Sequence, residues 1–423
     1  MEGLPARLRL SVRAGERIAP VRGADHAAVL TRALELRAAG RVPLVLDERV
    51  APEAAAAQVD AAVHALDDLA ARAPERAAQV AWTAATSGST GAPRVVLRTD
   101  RSWSVGHAHV RAWLGLEPGE GLLVPVHPTS SMALNAAAFC AATGARLRVP
   151  ARARVRTEDL TGAPHAPAPA ALHGTPAQLA DVLDLLDDAA PAPALRVALV
   201  GGDRLTAGLR ARAKAHGLRL VHYYGAAEAS FVAVDPDGTG LRLLPGVEAE
   251  TEDGLLLVRS DQLAEPDGSS LHLTGPDGAA TAVPRWRPDG FLRTGDAAAL
   301  DGDRLTLHGR ADGVILTAGA TVHATAVEDV LTGVLDAAGR PLASAVLVAG
   351  EADARLGRRV VAWVEPASGR DPEDVLAALR TAARERLSPA ARPRRWHAVD
   401  RLPRTPSGKV RRVPPGSVMD SGA

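Results

Sequence analysis

Lysine is nearly missing from this sequence. Its 423 residues contain two, Lys214 and Lys409, against 47 arginines. Coding bias toward Ala, Arg, Gly and Pro exchanges Lys for Arg wherever a solvated positive charge suffices, so a surviving lysine stands out. Net charge is also lacking: 49 basic and 49 acidic side chains cancel, which argues against a nucleic-acid or anionic-membrane partner. A single cysteine, Cys140, excludes an internal disulfide framework and fits a reducing compartment, so a cytoplasmic location is expected. The first twenty residues scatter charges through any apolar run, and nowhere are there about 18 uncharged apolar residues in a row. Neither a secretory leader nor a membrane span is expected.

What is present is apolar enough for substantial cores, at 47% hydrophobic residues. Domains of roughly 100–200 residues predict two or three units. Short apolar runs alternate with helical patterns through the first 300 residues, the signature of a mostly parallel sheet. Candidate strands cover 41–47, 79–84, 121–126, 145–150, 195–202 and 218–225, with helices over 25–39, 177–187 and 206–216 among those between them. The Pro-rich stretch TGAPHAPAPA, 161–170, reads as a surface loop. From Leu241 the texture becomes short strands broken by Gly, Asp and Pro, an antiparallel segment closing the large domain. After GRADG, 309–313, a new pattern begins, with helices near 324–334 and 372–387 and strands at 344–349 and 358–364. The fold class is α/β: a large N-terminal domain over 1–309, with mostly parallel sheets and a β segment, and a small α+β domain over 310–423.

Five loops carry chemistry. TSGSTGAPR brings together Thr86, Ser87, Gly88, Ser89, Thr90, Gly91 and Arg94 after a predicted strand. Small hydroxyl residues and glycines let backbone N–H groups wrap phosphate oxygens, and Arg94 adds a fixed charge. The loop lacks the GK[ST] ending of a Walker motif, and no G-x-S-x-G nucleophile elbow occurs. YYGAAEAS ends a predicted parallel strand, where ligands bind in open sheets; Tyr224 could stack on a base and Glu228 could ligate a nucleotide's magnesium ion. In RTGD, Asp296 could accept two ribose hydroxyls. GRADG holds Arg310 and Asp312, and RLPRTPSGKVRR, 401–412, holds Lys409. Taken singly, each loop also fits a plain structural reading.

In this order the five loops resemble the adenylate-forming superfamily of acyl-CoA synthetases and related ligases, over nearly the whole chain. TSGSTGAPR is similar to the family's phosphate loop, YGAAE to its Y-G-x-T-E motif, RTGD to T-G-D, GRADG to the G-R-x-D hinge, and PRTPSGKVRR to the catalytic-lysine motif. The resemblance implies that His127, in VPVHPTSSMALN, lines the acyl channel. ALVGGDRL, 198–205, resembles the strand beside adenine and the acyl pocket, pointing to Gly201, Gly202 and Asp203, with Tyr223, Tyr224 and Gly225 on the next strand. Arg94 stands where the family usually has Lys, and Ala227 where it has a Thr that binds magnesium and phosphate. Leu316, Ala324 and Ala326 replace its Lys, Pro and Glu after the hinge. The phosphate loop starts earlier than in most relatives, so by this resemblance an abbreviated N-terminal subdomain is expected.

The resemblance implies ATP and Mg2+ as cofactors and coenzyme A as acceptor. A small-molecule carboxylic acid would be activated to an acyl-adenylate and passed to a thiol. The alternatives are a carrier protein or an amine as acceptor, and, in another class, a degenerate nucleotide-binding scaffold. Glu228, His127 and Arg310 would serve the first step with Lys409, and Asp312 would be the hinge about which the lysine withdraws. No acidic residue stands in the local stretch His127-Pro128-Thr129-Ser130-Ser131, which favours an aryl, short or medium acyl substrate without an α-amine. A lysine ammonium is a narrow charge on a mobile stem, whereas guanidinium is planar and wide. Lys409→Arg should therefore lower adenylate formation at least about a hundredfold, while Lys214→Arg leaves it unchanged, as measured by pyrophosphate release. Equal rates for the two variants would contradict the assignment.

Overall fold

The computed structural model describes residues 14–86, 94–151, 154–162, 168–188, 194–274, 280–310, 313–317, 320–353, 356–404 and 410–412. The chain opens with two parallel strands, β1 (Ile18–Val21) and β2 (Val42–Val45), joined by helix α1 (His26–Ala38). Asp25 starts that helix, its carboxylate accepting from the backbone N–H groups of Ala27 and Ala28. Helices α2 (Pro52–Arg72) and α3 (Pro74–Gln79) lead into an antiparallel hairpin, β3 (Val80–Thr86) and β4 (Arg94–Thr99). Helix α4 (Asp100–Leu114) is capped by Thr99 and ends on Gly115 in the left-handed conformation.

The parallel core follows: β5 (Gly121–Leu123), α5 (Ser131–Thr143), β6 (Arg146–Arg148), α6 (Thr157–Leu160), β7 (Pro169–Gly174), α7 (Pro176–Asp187), β8 (Val197–Gly201), α8 (Ala207–Ala215) and β9 (Arg219–Ala226). Its order is β9-β8-β7-β5-β6, every pair parallel. β8 is buried at all five positions, as expected where helices cover both sheet faces.

The 161–170 stretch is corrected here: Pro169 and Ala170 open β7, a fully buried central strand. Proline is tolerated at a strand's first residue, where its missing N–H breaks no interior ladder, and the Ala-Ala-Leu that follows packs between β5 and β8. Residues 163–167 lie outside the described residues.

The antiparallel segment is no separate layer. β10 (Ser230–Asp235) turns straight back on β9, and β11 (Leu241–Leu243), β12 (Glu248–Glu252), β13 (Leu255–Arg259), β16 (Leu292–Asp301) and β17 (Arg304–Arg310) extend the sheet to eleven strands. A small hairpin, β14 (Ser270–Thr274) and β15 (Ala280–Pro284), stands apart from it. Beyond it lies a second sheet of β18 (Val314–Thr317), β19 (Ala320–His323), β20 (Ala343–Asp353), β21 (Gly357–Pro366) and β22 (Arg395–Ala398). Helices α9 (Ala324–Thr332) and α10 (Pro372–Arg386) close a core of their own over it, with Leu331, Leu379 and Val364 fully buried. Arg204, after β8, pairs with Asp329 on α9, so the two parts touch beside the carboxyl ends of the parallel strands.

Candidate active site

Ligands of open α/β sheets sit at the carboxyl ends of parallel strands. Here the ends of β7, β8 and β9 bring His173, Gly201, Gly202, Asp203, Tyr223, Tyr224 and Gly225 to one edge. Tyr223 is buried, and its hydroxyl lies 3.0 Å from His173 Nε2. Burial pushes His173 down to about 3 and the tyrosine up, so a neutral imidazole meets a neutral phenol across this hydrogen bond. Gly201 has a packing reason as well: a Cβ there would stand 2.2 Å from the Tyr223 ring. Gly202 adopts φ +81°, a left-handed turn that sends the chain out of the sheet. Asp203 Oδ1 accepts the Arg204 backbone N–H at 2.8 Å.

Glu228 occupies the turn between β9 and β10, not a helix start. That turn is pinned from two sides. The Ala264 N–H donates to the Glu228 carbonyl at 2.7 Å, and Arg98 Nε donates to the Ala227 carbonyl at 2.9 Å. Arg98 is wholly buried and faces no carboxylate among the described residues; its Nη1 reaches the Gln262 carbonyl at 2.8 Å and Ser102 Oγ at 3.1 Å, and its Nη2 has no partner there. Burial lowers its pKa to about 9. Ala227, where a hydroxyl residue was expected, packs against Ala84, Val96 and Ala264.

The Glu228 carboxylate faces two guanidiniums. It ion-pairs with Arg94, the first residue of β4, and lies 3.9 Å from Arg285. Arg94 Nε lies 3.5 Å from Asp267, which Trp286 Nε1 holds at 3.3 Å. Burial and the neighbouring Arg285 lower Arg94 to about 10. The Nε–H groups of both Arg94 and Arg285 are buried without a hydrogen-bond partner among the described residues. Donors of that kind, held rigidly beside one another, are what an anion would satisfy.

Asp296 stands next to this cluster. Tyr224 donates to its Oδ2 at 2.5 Å, and Arg310, its cross-strand neighbour on β17, lies 3.4 Å from Oδ1. Burial and Asp296 together hold the Tyr224 hydroxyl protonated. Gly295, at φ +81°, sits inside β16 where the pairing with β13 shifts register, and a Cβ there would press on Arg310 at 3.1 Å. Gly309, at φ +108°, lets β17 approach α9, where a Cβ would meet Thr325 Oγ1 at 2.3 Å. Ala324 is buried at the start of α9 and Ala326 is exposed.

His127 follows β5 and is 3% exposed, with Nδ1 2.8 Å from Thr129 Oγ1 and Nε2 3.0 Å from Glu48. An acidic residue therefore does stand beside His127. It arrives from 79 positions away in sequence, so the local reading missed it and its exclusion of an α-amine no longer follows. Ser87, Gly88, Ser89, Thr90, Gly91, Asp312 and Lys409 lie outside the described residues, as do the side chains of Thr86 and Leu316. The sequence reading also passed over Arg98, Arg285 and Asp267; only the apolar setting of Arg98, in VVLRT, carries a local signal.

Gly201→Ala is expected to break the Tyr223–His173 contact and destabilise the protein by about 1–3 kcal/mol through overpacking. Gly208→Ala, in α8 with nothing within 4 Å of the added methyl, should be neutral or stabilising. Thermal unfolding of the two variants checks this, and equal midpoints would refute the packing role of Gly201.

Comparison with known proteins fits this arrangement. Residues 12–254 match the family described as AMP-binding enzyme, and 337–409 match its C-terminal domain. A protein of Mycobacterium tuberculosis (strain H37Rv) named as a probable 2-succinylbenzoate–CoA ligase is 32% identical over 79% of this chain and 83% of its own length. Nonribosomal peptide synthetase 8 of Aspergillus fumigatus is 28% identical over 79% of this chain, which spans only 4% of that protein. Among solved structures, ATP-bound MatB from Rhodopseudomonas palustris has a TM-score of 0.71 at 18% identity, over 94% of this chain and 90% of its own. Amide bond synthetase McbA from Marinactinospora thermotolerans has a TM-score of 0.72 at 23% identity, over 93% and 87%. The two structures establish a shared fold, and the matched families establish that this chain belongs to the AMP-binding enzymes, the adenylate-forming superfamily.

Proposed function

We propose that this enzyme joins a carboxylic acid to AMP and then passes the acyl group to a thiol, with coenzyme A as the acceptor. The observation that carries the reading is the pair of buried, unsatisfied Nε–H groups on Arg94 and Arg285, beside a carboxylate on a pinned turn. Those donors suit the phosphates of ATP. Asp296, oriented by Tyr224 and Arg310, suits the two ribose hydroxyls. Gly201, Gly202 and Asp203 suit the adenine and acyl walls, and the 87–91 loop would close over the phosphates. Glu228 is an ion-pair partner here and not an open cation site. Phosphates that engage Arg94 would release its carboxylate for the magnesium ion the nucleotide carries, whose charge offsets the repulsion between carboxylate and triphosphate.

In the first step a substrate carboxylate oxygen bonds to the α-phosphorus as the bond to the bridging oxygen breaks and pyrophosphate leaves. The chain's contribution is to hold the two anions in line and to supply positive charge, with Lys409 between them. Residues 310–423 would then turn about Asp312, withdrawing Lys409 from the 1–309 part. A thiolate attacks the acyl carbon and AMP departs. The single buried Cys140 accords with a cytoplasmic enzyme, and no described helix is long and apolar enough to cross a membrane. An aryl, short or medium acyl substrate fits the alanine-rich α5 beside His127; because Glu48 stands there, amino acids belong in the assay too.

Incubation with Mg-ATP and a panel of carboxylic and amino acids, with coenzyme A present and absent, should release pyrophosphate with at least one acid. Mass spectrometry should then find acyl-AMP without coenzyme A and the thioester with it. Glu228→Gln is expected to lower the pyrophosphate rate by about 10²–10³. ATP bound with no pyrophosphate from any acid would overturn the reading in favour of a nucleotide-binding scaffold. An acyl group found on an amine or a carrier protein would change the acceptor.

A further inference from the structure

Three residues that the nucleotide chemistry does not require converge at the carboxyl ends of three other parallel strands. His26 follows β1, Glu48 follows β2 and His127 follows β5. The two imidazole rings stand edge to face, centroids 4.7 Å apart at 74°. Glu48 reaches both, with Oε2 3.0 Å from His127 Nε2 and Oε1 3.9 Å from His26 Nε2. One ligand atom from each residue lies within 4.8 Å of the other two. Ligands of a tetrahedral zinc ion, at about 2.0–2.1 Å from the metal, lie roughly 3.3 Å apart, so small side-chain shifts would close this triangle on an ion.

Burial favours a metal over a solvated cluster. His26 and His127 are 4% and 3% exposed, while Glu48 is only half-buried and leaves a way in. The competing cation, Arg49, is 4.0 Å from Glu48 yet is held by Asp47 at 2.8 and 2.6 Å. On the far side of His127, Nδ1 accepts the Thr129 backbone N–H at 3.3 Å and lies 2.8 Å from Thr129 Oγ1, which fixes the ring with Nε2 turned toward Glu48.

We propose that His26, Glu48 and His127 form a three-ligand site for a borderline divalent transition metal of the zinc type, with a further coordination position open. Two imidazoles and one carboxylate suit zinc and cobalt better than magnesium or calcium, which prefer all-oxygen shells. The site is separate from the magnesium assigned to Glu228. It shares His127 with the acyl-channel reading but needs neither that reading nor turnover.

Metal-stripped full-length protein titrated with Co2+ in nucleotide-free buffer tests it, read by visible absorption and by metal retained after dialysis. The wild type should bind one equivalent, lose it to added Zn2+, and unfold at a higher temperature when loaded. Glu48→Gln and His26→Gln should each weaken binding at least about tenfold. If His26→Gln fails to fold, Glu48→Gln decides alone, because it changes a half-exposed side chain at constant shape. No Co2+ bound by the wild type, or equal binding by wild type and variants, overturns the site. An enzyme that releases pyrophosphate but binds no Co2+ rejects this inference alone and leaves the proposed function standing.

Discussion

The site depends on how one buried cation, Arg98, is satisfied. A guanidinium with no carboxylate partner is costly inside a protein, and this one recovers part of its hydrogen bonding through Nε and Nη1, from the backbone carbonyls of Ala227 and Gln262 and from Ser102, while Nη2 has no partner among the described residues. That ties β4 to the β9–β10 turn and to the 262–265 segment, whose Ala264 N–H grips the Glu228 carbonyl. The grip sets where Glu228 points. Glu228 sets where Arg94 and Arg285 gather, and so two positive groups come to lie side by side in a largely water-excluded place. They are tolerable there because Asp267 and Glu228 offset them in part. The remainder, two Nε–H groups that make no hydrogen bond among the described residues, Arg94 Nε lying 3.5 Å from Asp267, is what makes the cluster receptive to an anion.

Asp296 extends the same logic along the sheet. Its carboxylate is fixed by a tyrosine from one strand and an arginine from another, and the irregular point of β16 beside it needs a glycine because its backbone is left-handed. A ligand binding there meets groups already oriented, so little ordering entropy is lost on binding. The contacts of Arg204 with Asp329 and of Gly309 with Thr325 place the second sheet against this edge, where movement of that sheet would be felt at the site.

Much of this was legible in the sequence because it is local. Apolar runs marked β5, β8 and β9, helical spacing marked α1, α7 and α10, and short glycine motifs marked Gly295 and Gly309, which lie at register shifts inside β16 and β17 and not in turns. Pro169 misled because proline in a run of alanines looks like a loop until strands are known to lie on both sides. Glu228 was singled out as a magnesium ligand after a strand, but nothing in YYGAAEAS announces that the chain doubles back into β10. Arg98, Arg285, Asp267 and Glu48 gain their meaning from partners distant in sequence. No window along the chain contains those pairings; they exist only after the sheet has formed.

The central claim is that Arg94 and Arg285 hold donors in reserve for phosphate. Calorimetric titration of ATP into wild-type protein and into Arg94→Met and Arg285→Met tests it most directly. Loss of a charged hydrogen bond of about 1.5–3 kcal/mol predicts that each substitution weakens binding by roughly 10- to 100-fold. Unchanged ATP affinity in both variants would contradict the account.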